Sequence, residues 1–164
     1  MNIPIKGNEQ LKLVLKKVNE HEELNAIWEA SNVMIVKRLG MSDHGKTHVS
    51  IVANLAVKIL RNLVTEGIIP SIVKDYEFTN EDAEIVVFLA SIMHDLGNSV
   101  HRDLHDDIGF SLANKILHEL LEDVYENKRK KQIIITETLH AMVAHDTDVK
   151  VHTIEGGVVR IADG

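Results

Sequence analysis

The sequence predicts an all-α protein, a bundle of about six to seven helices. Three observations predict it. Proline occurs only at Pro4 and Pro70, so little interrupts long helices. Apolar residues recur at three- and four-residue spacing over most of the chain. Start and stop residues such as Asn8, Asn80, Gly40 and Gly67 sit at the ends of those stretches. With 164 residues, 45% of them hydrophobic, the chain can close one core without a disulfide or a structural metal. That core must be aliphatic, since tryptophan, tyrosine and phenylalanine number 1, 2 and 3. The absence of cysteine excludes disulfides, thiolate metal sites, iron–sulfur clusters and a cysteine nucleophile. A net charge of −7 argues against nucleic-acid polymers and anionic membranes as partners. The longest apolar stretch, Ile85 to Met93, falls far short of the roughly 20 residues of a membrane span. The expected location is the cytoplasm.

The first helix runs from Asn8 to about Glu20 on Leu11, Val14, Leu15 and Val18, with Asn8 as its cap. The second runs from Glu22 to Arg38 and stops at Gly40. Its Trp28 is expected in the core rather than as a substrate platform. Ser42 or Asp43 opens the third, which ends at Thr65 before Gly67. Residues 66–79, containing Pro70 and Ser71, read as a loop. Asn80, Glu81 and Asp82 start a fourth helix that reaches Asp95 or Leu96. The fifth spans about Asp103 to Val124 and the sixth about Glu126 to Ala144. Ile133 to Ile135 favour strand, but the charged flanks favour helix, with Lys128 to Lys131 as a solvated face. The last helix spans Thr153 to Asp163. Residues 1–41 are expected to form a helical extension packed on a main domain of residues 42–164. A functional aspartate rarely closes a domain, so a fragment, or a chain lacking a disordered tail, is expected.

Histidine is the unusual residue, with ten copies. Chance would give about 0.7 His-Asp dipeptides, yet three occur: His94–Asp95, His105–Asp106 and His145–Asp146. His94–Asp95 ends the apolar run 85–93, where both groups are costly to bury unless paired or metal-bound. His48 lies on the stripe of Val52, Leu55 and Ile59, and His105 on that of Ile108, Leu112 and Ile116. His145 follows Ala141 and Met142, and Asp163 follows another apolar run. A lone inward histidine is more often a hydrogen-bonded core residue than a ligand. Five such positions on different helices instead suit a site built between facing helices. His118 is expected on the surface, and His21 and His152 at helix boundaries, solvated. His140, five residues before His145, points about 140° away from it. His44 shares the face of His48, one turn earlier, as an outer ligand or substrate contact, and His101 is a weaker candidate of the same kind. His44 and His48 have zincin spacing without its glutamate, and no Walker loop or dinucleotide fingerprint is present.

The order His48, His94–Asp95, Asp163 resembles the H…HD…D signature of the HD-domain superfamily of metal-dependent phosphohydrolases. The segments Asp43-His44-Gly45-Lys46-Thr47-His48-Val49 and Arg160-Ile161-Ala162-Asp163-Gly164 are also similar to the family, so the resemblance runs from Ser42 to the end. It implies an HD-type helical bundle with His48, His94, Asp95 and Asp163 on one metal. Where the family has two metals, His105 and His145 match the added histidines, with Asp95 bridging. Asn98 stands where the HD-GYP branch has lysine, and no Gly-Tyr-Pro occurs, which speaks against cyclic dinucleotides. The Glu-Asp signature of synthetase-type hydrolases is missing as well.

The expectation is therefore hydrolysis of a small phosphorylated substrate, a nucleotide, phosphomonoester or phosphodiester. It would use two divalent transition metal ions drawn from iron, manganese, cobalt, nickel or zinc. Asp95, His44, Lys46, Arg102 and Asp146 are the expected catalytic side chains; Lys46 and Arg102 either hold phosphate charge or stand as solvated cations, and Asp146 either donates a proton or caps the helix end. Alternatives are a diiron oxygenase acting on a polyol or phosphonate and a non-catalytic regulatory domain. A homo-oligomer is compatible with all three.

Overall fold

The computed structural model describes residues 1–164. It is all-helical, with eight α-helices. Helix α1 (Glu9–Glu20) starts at Asn8, whose side-chain oxygen accepts the Leu11 N–H at 2.8 Å. Helix α2 (Glu22–Asn32) starts at His21, whose ring nitrogen accepts the Leu24 N–H. That histidine, expected in solvent, is thus a cap, and its other nitrogen lies 3.1 Å from Glu119. The expected run to Arg38 exists, but Val33–Arg38 is wound as a π-helix before Gly40 turns the chain with φ +69°. Such a value suits glycine, which has no Cβ to clash.

Helix α3 (Lys46–Thr65) begins later than Ser42 or Asp43. The Asp43 carboxylate explains the shift, because it folds forward to accept the N–H groups of Gly45 and His48. The expected loop 66–79 contains helix α4 (Ser71–Tyr76). Its first two N–H groups, Ser71 and Ile72, are bound by the fully buried Glu155, a partner more than 80 residues away. Ile72 then enters the core.

Helix α5 (Asn80–Met93) carries a capping box of Thr79 and Asp82 and is buried from Asp82 to Met93 except at Glu84. It is the central rod. Helices α3, α7 (Lys128–Val143) and α8 (Ile154–Asp163) pack around it, and α6 (His105–Leu120) packs on the turn after it and on α7. The fifth helix starts later than expected because the 3₁₀ turn Arg102–Leu104, which follows another at Leu96–Ser99, precedes it. Asn127 and Thr153 cap α7 and α8.

One core of 38 buried residues joins all of these, including Leu11, Val14, Val18, Leu24 and Trp28 of the first two helices. Trp28 is buried, and its ring N–H donates to the Ile92 carbonyl at 2.9 Å. Lys130 departs from the expected solvated face. Its ammonium lies 2.7 Å from Asp82, which is fully buried and also accepts the Tyr125 hydroxyl. A buried carboxylate without such partners would be costly. No helix is long and apolar enough to cross a membrane.

Candidate metal centre

The end of α5 delivers His94 and Asp95 to the middle of the bundle. His48 approaches from the first turn of α3, and Asp163 from the last turn of α8. His48 Nε2 lies 3.3 Å from His94 Nε2, 3.6 Å from Asp95 Oδ2 and 3.1 Å from Asp163 Oδ1. His94 Nε2 lies 3.2 Å from each carboxylate. Two ligands of one ion, each bonded at about 2.0–2.2 Å, stand about 3 Å apart in an octahedron and about 3.4 Å apart in a tetrahedron. The observed spacings match such a frame.

Asp95 also belongs to a second group. Its carboxylate and the imidazoles of His105 and His145 present atoms within 4.8 Å of one another, as do those of His48, His94 and Asp95. Each group could hold a metal ion, and they share one carboxylate. The imidazoles are prepared for it. The Nδ1 atoms of His94, His105 and His145 lie 2.8, 2.9 and 2.7 Å from the carbonyls of Ser91, Arg102 and Met142, three residues back in each case. Only an N–H can satisfy a carbonyl, so Nδ1 carries the proton and Nε2 presents a lone pair. A cluster of lone pairs and carboxylates needs a cation or a proton at its centre.

Without metal, a proton fills that role. Burial alone would lower the His94 pKa, but Asp95 and Asp163 outweigh it and raise it to about 10. Burial would raise Asp95, yet the charge on His94 holds it well below the usual carboxylate range. Asp163 is held low against the same burial by its contacts to His48 and His94. His145 is pushed down by burial and by charged His94.

Asp95, His105, His145 and Asp163 line a cavity of about 220 Å³ together with His44, Arg102 and Asp146, and no hydrophobic side chain faces it. A larger groove of about 720 Å³ runs along the outer face of α3 but contains no ligand cluster. Arg102 Nη1 donates to Asn98 Oδ1 at 3.1 Å and lies 4.0 Å from Asp95 Oδ1. His44 fixes its Nδ1 on the Ser42 carbonyl, and its ring stands 5.2 Å from that of His48. Asp146 accepts the Asp148 N–H, which holds its pKa down, so it suits an acceptor role rather than the expected proton donor.

Lys46 is not brought to the cavity. Its ammonium bonds Asn25 at 2.6 Å and sits 5.7 Å from the Trp28 ring. Two residues before His48, it points about 200° away around the helix, which corrects the expected phosphate contact. His101 is exposed and accepts the Asp103 N–H. His140 lies apart, with its ring 5.8 Å from that of His152, and its neutral form is favoured by burial. Exposed His118 and His152 sit where expected.

Several contributors escaped the sequence reading. Asn98, fully buried, donates to Asp95 Oδ1 at 2.7 Å. Arg160 binds the carbonyls of Ala144, Asp146 and Val149, tying the loop after α7 to α8. Asp106 places Oδ1 beside His105 and His145. Gly97 brings the 3₁₀ turn against α6: a Cβ there would lie 1.9 Å from the His105 carbonyl oxygen. The glycines and the His-Asp dipeptides were visible in the sequence, but the direction of each side chain was not.

No family model matches the chain, and no solved structure matches it. A protein of Methanocaldococcus jannaschii, described as uncharacterized, is 41% identical over 153 residues. The match covers 93% of this chain and 59% of that protein, so the chain spans about three fifths of the length of this relative.

Proposed function

We propose that this protein is an HD-type, metal-dependent phosphohydrolase acting on a small phosphorylated substrate. The observation that carries the reading is the sharing of Asp95 between two groups of metal-competent side chains, the second of which lines a wholly polar cavity. The H…HD…D order of His48, His94–Asp95 and Asp163 supports it. The ligand set is imidazole and carboxylate only, which suits iron, manganese, cobalt, nickel or zinc. Two such ions would supply Lewis acidity and an activated water.

The chain's own residues do the rest. His48, His94, Asp95 and Asp163 would hold one ion, and Asp95, His105 and His145 a second. Arg102 is the cation at the cavity that meets a phosphoryl oxygen, with Asn98 orienting it. His44, with Nδ1 committed to Ser42, offers Nε2 to the substrate. A cavity of about 220 Å³ without apolar lining accommodates a phosphoryl group and little more, which leaves the remainder of the substrate outside.

Phosphate release tests the proposal. The protein, loaded anaerobically with manganese or ferrous iron, is offered nucleotides, sugar phosphates and phosphodiesters. Release is expected with at least one class and is expected to vanish in Asp95→Ala. If a protein holding two metals releases no phosphate but consumes oxygen with a polyol or phosphonate, the hydrolase reading fails and the oxygenase reading replaces it.

A further inference from the structure

We propose that Asp106 is a ligand of the second metal, completing a set of two imidazoles and two carboxylates with His105, His145 and Asp95. The inference rests on the two-metal reading above. Asp106 Oδ1 lies 3.4 Å from His105 Nε2 and 4.0 Å from His145 Nε2. The first distance is that between two ligands at a tetrahedral angle on one ion, and the second fits a wider angle. Both nitrogens present lone pairs, since their Nδ1 atoms are committed to carbonyls.

The oxygen has no other employment. Asp106 Oδ1 is buried and has no hydrogen-bond partner. It stands in the first turn of α6, where an acid commonly binds free N–H groups, yet it accepts none. Its neighbour Asp107, in the same turn, is exposed. A carboxylate oxygen facing two imidazole lone pairs is repelled by them unless a cation or a proton lies between them. A second carboxylate would also shift the site toward harder ions such as ferrous iron or manganese.

Anaerobic titration of the full chain with cobalt(II), followed by visible absorption and by metal content after desalting, tests the assignment. Wild-type protein should take two equivalents. Asp106→Asn should take the first as wild type does and bind the second at least about tenfold more weakly, with a changed spectrum for that equivalent. Asp107→Asn should change neither. Two equivalents bound to Asp106→Asn with unchanged affinity and spectrum would overturn the assignment and leave the two-metal reading standing. A wild-type protein that takes only one equivalent would overturn both. Retention of the first equivalent reports that the variant is folded. If both are lost, Asp106→Glu decides, because recovery of two equivalents supports a ligand and failure to recover them overturns it. An equal weakening in Asp107→Asn would reduce the effect to helix-terminus charge and overturn the proposal.

Discussion

Asn98 illustrates how one side chain controls the site. Its amide N–H₂ donates to Asp95 Oδ1 at 2.7 Å while its carbonyl accepts from Arg102. Asp95 is thereby turned so that Oδ2 faces His48 and His94. The same amide links the shared carboxylate to the guanidinium at the cavity. Replacing Asn98 by alanine removes both bonds from a fully buried position. Leaving Asp95 Oδ1 short of a donor should cost about 1–3 kcal/mol of stability. Metal affinity should fall about 10–100-fold, as it does when the partner of a ligand is lost. Chemical unfolding of the metal-free variant and metal titration read the two effects separately; unchanged affinity would mean that Asp95 is held by its helix end alone. Arg102→Lys, in contrast, should leave metal binding near wild type and, under the proposed phosphohydrolase reading, weaken substrate, because an ammonium cannot span Asn98 and a phosphoryl oxygen as a planar fork does.

Between the elements, the decisive contact is a glycine. The turn Leu96–Ser99 and the start of α6 approach so closely that a Cβ on Gly97 would meet His105 O at 1.9 Å and Gly109 N at 2.7 Å. This approach puts His105 within reach of Asp95. Gly97→Ala must push the start of α6 away from α5, because both obstacles are backbone atoms. The expected outcome is loss of the second metal and a destabilisation at the upper end for point substitutions, above about 4 kcal/mol. A Gly97→Ala protein that melts like wild type and keeps two metals would refute this account of the turn. The same level shows why the sequence told most of the helices but not all. Caps such as Asn8 and Thr153 act within three residues, so they are legible locally. Helix α4 depends on Glu155, more than 80 residues away, and reads as a loop without it. Apolar stripes and the end of the run 85–93 single out His48, His94, Asp95, His105, His145 and Asp163, although Leu55, read on the His48 stripe, is exposed. Asp106 and Asn98 sit at a helix start and in a 3₁₀ turn, where that spacing carries no direction. Lys46 stands two residues from His48 in sequence, but its angle around α3 places it on another face, against Asn25.

Across the whole molecule, the cluster joins α3, α5, α6, α8 and the loop after α7, so its protonation state is part of the stability of the bundle. In the metal-free protein the His94 pKa is raised from 6.5 to about 10. A raised value means that the folded state binds the proton more tightly than the unfolded chain. That stabilisation is complete below pH 6.5 and is lost as the pH rises through about 10. Asp95 and Asp163 are depressed from 3.8, so their contribution is present above that value and is lost as the pH falls below it. His145 and His140 work the other way in acid. Burial lowers both, and each withdraws stability as the pH drops below 6.5. Of these five groups, only His94 changes its contribution on the alkaline side. Thermal melts in chelator should therefore show Tm falling by several degrees between pH 7 and pH 10, since about 1 kcal/mol moves Tm by about 2–4 °C in a chain of this size. Saturating manganese should abolish the fall, because the cation takes the place of the proton between the imidazoles and carboxylates. A Tm that stays level from pH 7 to pH 10 without metal would show that no proton is held at His94, and a fall that persists with metal would show that the cation does not bind where the proton does.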